Sequence, residues 1–551
     1  MSRSAQAVAA LRSVFRNENL RRVELAWGAS IASEWAHYVA LGVFAYNEGG
    51  AAAVGIAGLV RMLPAALVAP FAATFGDRFR RERFLVAIAV LGTAALGASG
   101  AAFFLGRNVV AVFALAGVVG VTTTLFRPAL QAILPSLART PDELIASNGA
   151  TSTIESFGTL VGPLVAGVVV AVANPGVVMV AASAAMLAAA ILLSRVSVEG
   201  AIRLTAAEAT RARELVLGGF HVVATAWRPR LIIVLITAQG FVRGCLNVLM
   251  VVAAFELFGA GDGAVGYMAA ALGVGGLAGA FGALRLEGRR LGTPLGVAVA
   301  FWGLPIALVA AWPNLVFAIA LLAVVGAANS VEDVAAFTLL QRIVPDHVLT
   351  RVLGVAWGLV MGAVAFGSFV TPAIVDAVGS RAAFVVAGAI LPILALAVAR
   401  LLRTIDREAL APRVELELVD RVSIFAPLSV AAKEHVAARL VPLTVEAGEV
   451  VIRRGDVGDR FYVVAEGEFE VDADGHRSTS GPGDFFGEVA LLRDVPRTAT
   501  VQATVPSRVY ALDRDDFLAA VTGHSAVRAA GEAVVADRLS RSTGDAAAAG
   551  R

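Results

Sequence analysis

The chain has 551 residues, of which 58% are hydrophobic and only 16% charged, with a mean hydropathy of +0.78. Water-soluble domains are usually about 45–50% apolar and about 25% charged. The net charge of +2 hides a division, because residues 1–402 carry 27 basic and 19 acidic side chains whereas 403–551 carry 18 and 24. An ordinary soluble enzyme is excluded, and the pattern is that of a membrane protein with a charged, water-exposed tail.

A transmembrane helix needs about 20 mostly apolar residues. That length picks out twelve spans: 22–46, 53–76, 84–105, 108–134, 147–173, 175–194, 231–257, 263–285, 293–311, 314–340, 349–376 and 381–402. The polar stretch 195–230 is read as a cytoplasmic central loop between an N-terminal half, 1–194, and a C-terminal half, 231–402. Arginine placement sets the orientation. Arg3, Arg12, Arg16, Arg21 and Arg22 precede span 1, and Arg78, Arg80, Arg81 and Arg83 follow span 2. The central loop adds Arg195, Arg203, Arg211, Arg213, Arg228 and Arg230, whereas the alternate loops hold only Arg107 and Arg381. Both termini are therefore expected in the cytoplasm, in an inner (plasma) membrane. The Arg-rich start and the long first span argue against a secretory signal. Cys245 is the single cysteine and the six histidines are scattered, so no metal site is expected.

The halves carry related marks. Gln131-x-x-x-Pro135 recurs as Gln341-x-x-x-Pro345, 210 residues on, and Gly162-Pro163 falls opposite Thr371-Pro372. Duplicated units of this kind are common in transporter folds. The loop after span 2, Phe75-Gly76-Asp77-Arg78-Phe79-Arg80-Arg81-Glu82-Arg83, resembles the signature loop of the major facilitator superfamily, with Ala73 and Arg80 in place of two family glycines. The resemblance implies a twelve-helix fold in two six-helix halves, with Asp77 and Arg78 as a cytoplasmic latch. Span 5 reads Gly149-x8-Gly158-x3-Gly162-Pro163-x2-Ala166-Gly167, which resembles the motif of exporters in that superfamily. Glycines on one face also serve plain tight packing, the reading adopted for the glycines of span 8. Phe126-Arg127-Pro128-Ala129, Gln131, Pro135 and Asp142-Glu143-Leu144 are similar to the secretion and drug-efflux branch.

Ionisable groups inside spans are costly and default to function. They are Glu34 and His37 in span 1, Arg61 in span 2, Arg127 in span 4, Glu155 in span 5, Arg243 in span 7, and Glu332 and Asp333 in span 10. Glu34 and Arg243 are 209 residues apart, at equivalent positions of the halves. Either they meet across the cavity that the family resemblance implies, or Glu34 pairs with Arg61. An acid released from such a pair on protonation couples protons to transport. Glu155 is the second candidate, and Glu332–Asp333 the third.

Beyond a linker helix at 403–420, short alternating runs at 449–452, 461–464, 469–471, 500–503 and 509–512 alternate with glycine turns. They predict a small β-roll at 421–541 with helices at 513–522 and 524–541, then a disordered end at 542–551. Phe485-Phe486-Gly487-Glu488-Val489-Ala490-Leu491-Leu492 and Pro496-Arg497-Thr498-Ala499 resemble the phosphate cassette of cyclic nucleotide-binding domains. Gly455-Asp456-x-Gly458-Asp459 upstream is similar to the same family. Exposed amides of a short helix at 487–491 suit an anion, and Arg497 supplies a bidentate charged partner. The resemblance implies that Glu488 accepts the ribose 2′-hydroxyl and that Thr498 touches phosphate or base. It places the lid on 524–541 with Arg528, Val534 and Arg538. The alternative is a roll that has lost its ligand.

Together these features predict a proton-coupled exporter of a small molecule, regulated by cAMP or cGMP, with cAMP favoured by the Ala/Arg-rich composition. Alternatives are a membrane-anchored nucleotide receptor without transport and a transporter of lysophospholipid-type amphiphiles. The expected partners are the lipid bilayer, protons, the small-molecule substrate and the nucleotide as regulatory ligand, with no further cofactor and no nucleic acid. No nucleophile–base constellation suggests catalysis.

Overall fold

The computed structural model describes residues 16–69, 81–106, 108–137, 141–196, 220, 223–283, 290–344, 346–408, 413–428, 430–473, 476–522, 530–534 and 536. Among them, eleven helices are long and apolar enough to cross a membrane. These are α1 (Glu18–Val68), α2 (Arg81–Phe104), α3 (Val109–Leu137), α4 (Pro141–Val172), α5 (Pro175–Ser194), α6 (Trp227–Val252), α7 (Gly263–Ala283), α8 (Gly292–Val309), α9 (Leu315–Ile343), α10 (Asp346–Val378) and α11 (Ser380–Glu408). The expected span 1 and the start of expected span 2, to Val68, both lie in α1. Its geometry breaks at Gly49 and Gly50, where Gly50 sits at φ 59°, a conformation that strains any side chain. A continuous helix would hold residues 34 and 61 about 40 Å apart, yet their side chains are 3.3 Å apart. α1 therefore doubles back at the glycines and supplies two of the twelve expected spans as its two limbs. Asp77 and Arg78 of the expected latch, most of the central loop, Arg528, Arg538 and residues 542–551 lie outside the described residues.

Helices cross where side chains are missing. A Cβ on Gly167 of α4 would stand 2.9 Å from the Gly263 carbonyl and from Gly266 Cα of α7, and one on Gly266 would stand 2.5 Å from Gly167 Cα. Gly55 and Gly58, in the second limb of α1, meet Pro372 and Ser368 of α10 in the same way, at 2.6 and 2.7 Å. These two crossings join the halves. The span-5 motif divides its labour: Gly158 and Gly162 admit Ile31 and Trp35 of α1, while Gly167 faces α7. Gly149 lies in the first part of α4. The α7 glycines pack as a plain small-residue surface, Gly273 on Leu160 of α4 and Gly275 and Gly279 on Ala323 and Ala327 of α9.

The chain divides into two units between Asp406 and Arg407. The second contains two four-stranded antiparallel sheets. The first has the order β1 (Val441–Val445), β8 (Ser507–Asp513), β3 (Arg460–Glu466), β6 (Phe485–Phe486). The second has the order β2 (Val450–Ile452), β7 (Thr500–Ala503), β4 (Phe469–Ala473), β5 (His476–Ser480). Alternation along the strands builds two cores, because successive side chains point to opposite faces. Phe461 and Val463 of β3 join Leu512 of β8 in a core against the helices, while Tyr462 and Val464 join Val509 and Ala511 between the sheets.

The expected linker at 403–420 resolves into two different things. Its beginning is the end of α11, with Leu402 and Ile405 buried. Its remainder is a separate helix, α12 (Arg413–Arg421), whose Leu418 and Val419 are buried in the roll core with Phe425, Phe461 and Phe517. An apolar stripe on 413–421 and the four-residue interval 409–412 cause the change. Helices α13 (Val430–Arg439), α14 (Glu488–Arg493) and α15 (Arg514–Thr522) complete the unit. Val534, in the expected lid, packs against the same core.

Gly266→Val should disrupt the α4–α7 crossing and abolish assembly of the two halves, read as loss of a cooperative thermal transition in detergent. Gly282→Val on the same helix meets nothing within 4 Å and should leave the transition unchanged.

Candidate functional site

Two sites emerge, one inside each unit. In the membrane unit, the ionisable residues of five helices converge. Arg61 Nη2 donates to Glu34 Oε1 at 3.3 Å and lies over the Tyr38 ring at 5.7 Å. Arg127 Nη1 donates to Glu155 Oε1 at 3.0 Å. Glu155 is also within electrostatic reach of Glu34 and Asp333, and Arg243 within reach of Glu332 and Asp333. Glu34 thus pairs with Arg61, the second of the two expected arrangements, and no ion pair joins it to Arg243 among the described residues. The reason is the doubling of α1, which brings its limbs side by side before either meets α6.

Residues at the duplication offset do meet farther along the same helices. Tyr38 donates to Asn247 Oδ1 at 3.2 Å, and Gly42 faces Val251. Tyr46 stacks on Phe255 at 4.3 Å and donates to Glu256 Oε1 at 3.0 Å. A π-helical turn occupies Ala253–Leu257, where Tyr46 meets both Phe255, at an offset of 209, and Glu256, at 210. The seam between α1 and α6 is closed from Tyr38 to Tyr46. Neither Tyr38–Asn247 nor Tyr46–Glu256 was singled out from the sequence, although the repeat offset contains the signal.

On α9, Asp333 Oδ2 accepts from Asn329 Nδ2 at 2.9 Å. Asn329 Oδ1 in turn accepts from Gln239 at 3.2 Å and Trp302 at 3.1 Å. Glu332 is 2% exposed, and neither carboxylate oxygen has a hydrogen-bond partner among the described residues. His37 is also fully buried, without a partner for either ring nitrogen among the described residues. A further buried acid, Glu24, accepts from Ser147 and Thr151, both at 2.8 Å, and fastens α1 to α4. It escaped the sequence reading because it sits at the edge of its span.

In the tail, Phe485 and Phe486 anchor the cassette in the two cores, and Gly487 turns the chain at φ 94° into α14. Val489 and Ala490 lie in the first turn of α14, with Ala490 buried against Gly458. Glu488 is fully buried, and Arg497 is 5% exposed. The Arg497 guanidinium donates to Gly487 O at 3.1 Å, Arg460 O at 2.8 Å and Asp459 Oδ1 at 3.2 Å, over the Tyr462 ring at 5.9 Å. Burial raises the Tyr462 phenol above its ordinary value, with Asp459 adding to the effect and Arg497 opposing it. The ring therefore stays neutral beneath the cation. Backbone bonds Arg497 N to Asp456 O at 2.8 Å and Gly455 N to Arg497 O at 2.9 Å fasten the glycine loop to the cassette. Thr498 is exposed and Ala499 half-buried at its rim. The Arg497–Gly487 bond brings together the two arms of the expected cassette, 485–490 and 496–499.

Residues 25–362 match the family model of the Major Facilitator Superfamily, and residues 442–524 match that of the cyclic nucleotide-binding domain. The cAMP-dependent protein kinase regulatory subunit of Dictyostelium discoideum is 39% identical over 18% of this chain and 34% of its own length. A putative potassium channel protein of Rhodopseudomonas palustris is 34% identical over 23% of this chain and 32% of its own length. The chain thus spans about a third of these relatives. The regulatory domain of Toxoplasma gondii PKA, solved with cAMP, is 32% identical over 19% of this chain and 43% of that one, with a TM-score of 0.19.

Removing one partner of a charge pair held away from water costs on the order of 3 kcal/mol, whereas removing both costs less. Arg61→Met should therefore lower the melting temperature in detergent more than the double variant Arg61→Met/Glu34→Gln does.

Proposed function

This chain belongs to the Major Facilitator Superfamily and carries a cyclic nucleotide-binding domain, and from that premise we propose a proton-coupled exporter of small molecules regulated by cytoplasmic cAMP. The observation that carries the transport reading is the meeting of carboxylates and guanidiniums from both halves inside the bundle. Among the acids, Glu332 is the best carrier of the coupling proton. Glu34 and Glu155 are engaged by Arg61 and Arg127, whereas Glu332 is buried with no hydrogen-bond donor among the described residues. A charge so placed is costly until an opposite charge arrives or a proton binds. The seam from Tyr38 to Tyr46 closes the cluster from the side opposite the arginine-rich loops. Both termini are assigned to the cytoplasm by the positive-inside rule. Export then requires that seam to open while the cytoplasmic ends of the halves approach. The glycine motif of α4, placed on the α7 crossing between the halves, supports this direction.

The regulatory reading rests on Arg497. Its guanidinium is held by Asp459 and two carbonyls, so a cyclic phosphate takes the place of Asp459 and gains a charge-assisted, bidentate partner. Glu488, beside the left-handed Gly487, is assigned the ribose 2′-hydroxyl, the amides of Gly487, Glu488, Val489 and Ala490 the phosphate oxygens, and Thr498 the rim contact. The cAMP-dependent protein kinase regulatory subunits among the sequence relatives support cAMP over cGMP. Coupling follows from α12: it is part of the roll core, and only residues 409–412 separate it from α11. Nucleotide shifts transport only insofar as it binds one arrangement of these helices better than the other.

Titration of the full chain with cAMP and cGMP should show saturable binding, tighter for cAMP. Arg497→Ala should weaken it about a hundredfold, as loss of a charged bidentate contact does, and should remove any effect of cAMP on flux in proteoliposomes. Equal affinity for wild type and Arg497→Ala would overturn the regulatory reading. In the same vesicles Glu332→Gln should abolish proton counterflow; proton-coupled flux in that variant would return the coupling role to Glu34 or Glu155.

A further inference from the structure

We propose that the cargo is an organic cation, held by the Asp333 carboxylate beside the stacked rings of Phe337 and Trp357 and exchanged against a proton on Glu332. This rests on the proton-coupled reading above and narrows it to a chemical class. The first argument is charge balance. Three guanidiniums, Arg61, Arg127 and Arg243, face four carboxylates, Glu34, Glu155, Glu332 and Asp333. Two pairs are closed, which leaves Arg243 opposite both acids of α9. With a proton on Glu332 the cluster is neutral, and with Glu332 ionised and a monovalent cation at Asp333 it is neutral again. An interior of low dielectric strongly favours those two states over any that leaves an unbalanced charge. An anionic cargo exchanged against the same proton has no such pair of neutral states, because ionised Glu332 and the anion would add like charges.

The second argument is the build of the site. Asn329, Asp333 and Phe337 lie at intervals of four on one face of α9. The Asn329 carbonyl is occupied by Gln239 and Trp302, so its amide must point at Asp333, pinning one carboxylate oxygen and leaving the other open. One turn on, Phe337 stacks on Trp357 of α10 at 5.4 Å and 21°. Trp357 shares a helix face with Val360 and Val364, which pack on Gly240 and Gly244 of α6. Its 40% exposed ring is therefore turned toward the bundle interior rather than toward lipid. A carboxylate next to exposed aromatic faces is what an alkylated or aryl cation needs, since its weakly hydrated charge is attracted to ring faces.

The third argument is the placement of Glu332 behind this site. Adjacent helical residues project about 100° apart, so Asp333 faces the open side while Glu332 is buried. The charged groups around it are few. Helices α7 and α8 carry none, α10 carries only Asp346, His347, Arg351 and Asp376 near its ends, and α6 presents Arg243. Asp333 is thus the acid whose charge is directly altered when cargo arrives, and Glu332 the one that answers it by losing its proton.

The test is equilibrium binding of radiolabelled tetraphenylphosphonium and tetraethylammonium to the purified full chain in detergent, with tetraphenylborate as an anion of the same shape as the first. Saturable binding of at least one cation that weakens on acidification, and none of tetraphenylborate, is expected. Asp333→Asn should lose tenfold or more in affinity, Asp333→Glu should restore most of it, and Phe337→Ala and Trp357→Ala should each lose severalfold. Melting curves establish that each variant is folded, and the ring variants test the same site if Asp333→Asn is not. No saturable cation binding, equal binding of tetraphenylborate, or full affinity in folded Asp333→Asn with both ring variants overturns the proposal. Binding needs no gradient, so cation binding as expected without proton-driven flux would uphold this site while overturning the exporter reading.

Discussion

Close approach of helix backbones is the constraint on which the membrane unit depends. In a bilayer there is no hydrophobic effect to press helices together, so association relies on van der Waals contact and polar bonds between them. The contact is made where Gly167 of α4 meets Gly266 of α7 and where Gly55 and Gly58 of α1 meet α10. A methyl group at any of these positions would separate the halves. The charged groups of α1, α3, α4, α6 and α9 would then lose the neighbours that make their burial tolerable. The small-residue crossings and the ion pairs are therefore one structural solution: the first allows the second, and the second gives the interior its chemistry.

Both units treat their arginines alike. Arg61 and Arg127 are held by carboxylates inside the bundle, and Arg497 by Asp459 and two carbonyls inside the roll. Each guanidinium is satisfied without a ligand, so an arriving charge exchanges one partner for another rather than creating an interaction from nothing. That makes recognition selective for sign and geometry.

Much of the fold was legible because hydrocarbon length and arginine placement are linear properties of a chain. Eleven of the helices fall on the twelve segmented spans, and the shortfall of one is the Gly49–Gly50 break inside α1. The strands at 450–452, 460–466 and 500–503 followed from alternation, whereas β1, β5 and β6 did not, being short or weakly apolar. The cassette was legible for a different reason. Its groups lie within about a dozen consecutive residues, so local order nearly fixes their geometry, and only the Asp459 contact and the carbonyls of Gly487 and Arg460 had to be added. The intramembrane pairs were harder. The offset linking Glu34 to Arg243 was real, since Tyr38–Asn247 and Tyr46–Phe255 obey it, but it identified facing helices rather than bonded side chains.

By itself the sequence determined a bundle of membrane-length apolar helices followed by a cyclic nucleotide-binding domain, because each is written in residue order and periodicity. Tertiary structure alone decided that Arg61 takes Glu34, that Arg127 takes Glu155, and that Glu332 is left without a donor among the described residues. It also decided that residues 413–421 belong to the roll rather than to a linker. These choices depend on which helix faces meet and at what depth, and a side chain several residues long chooses its partner by a few ångströms that no spacing along the chain records.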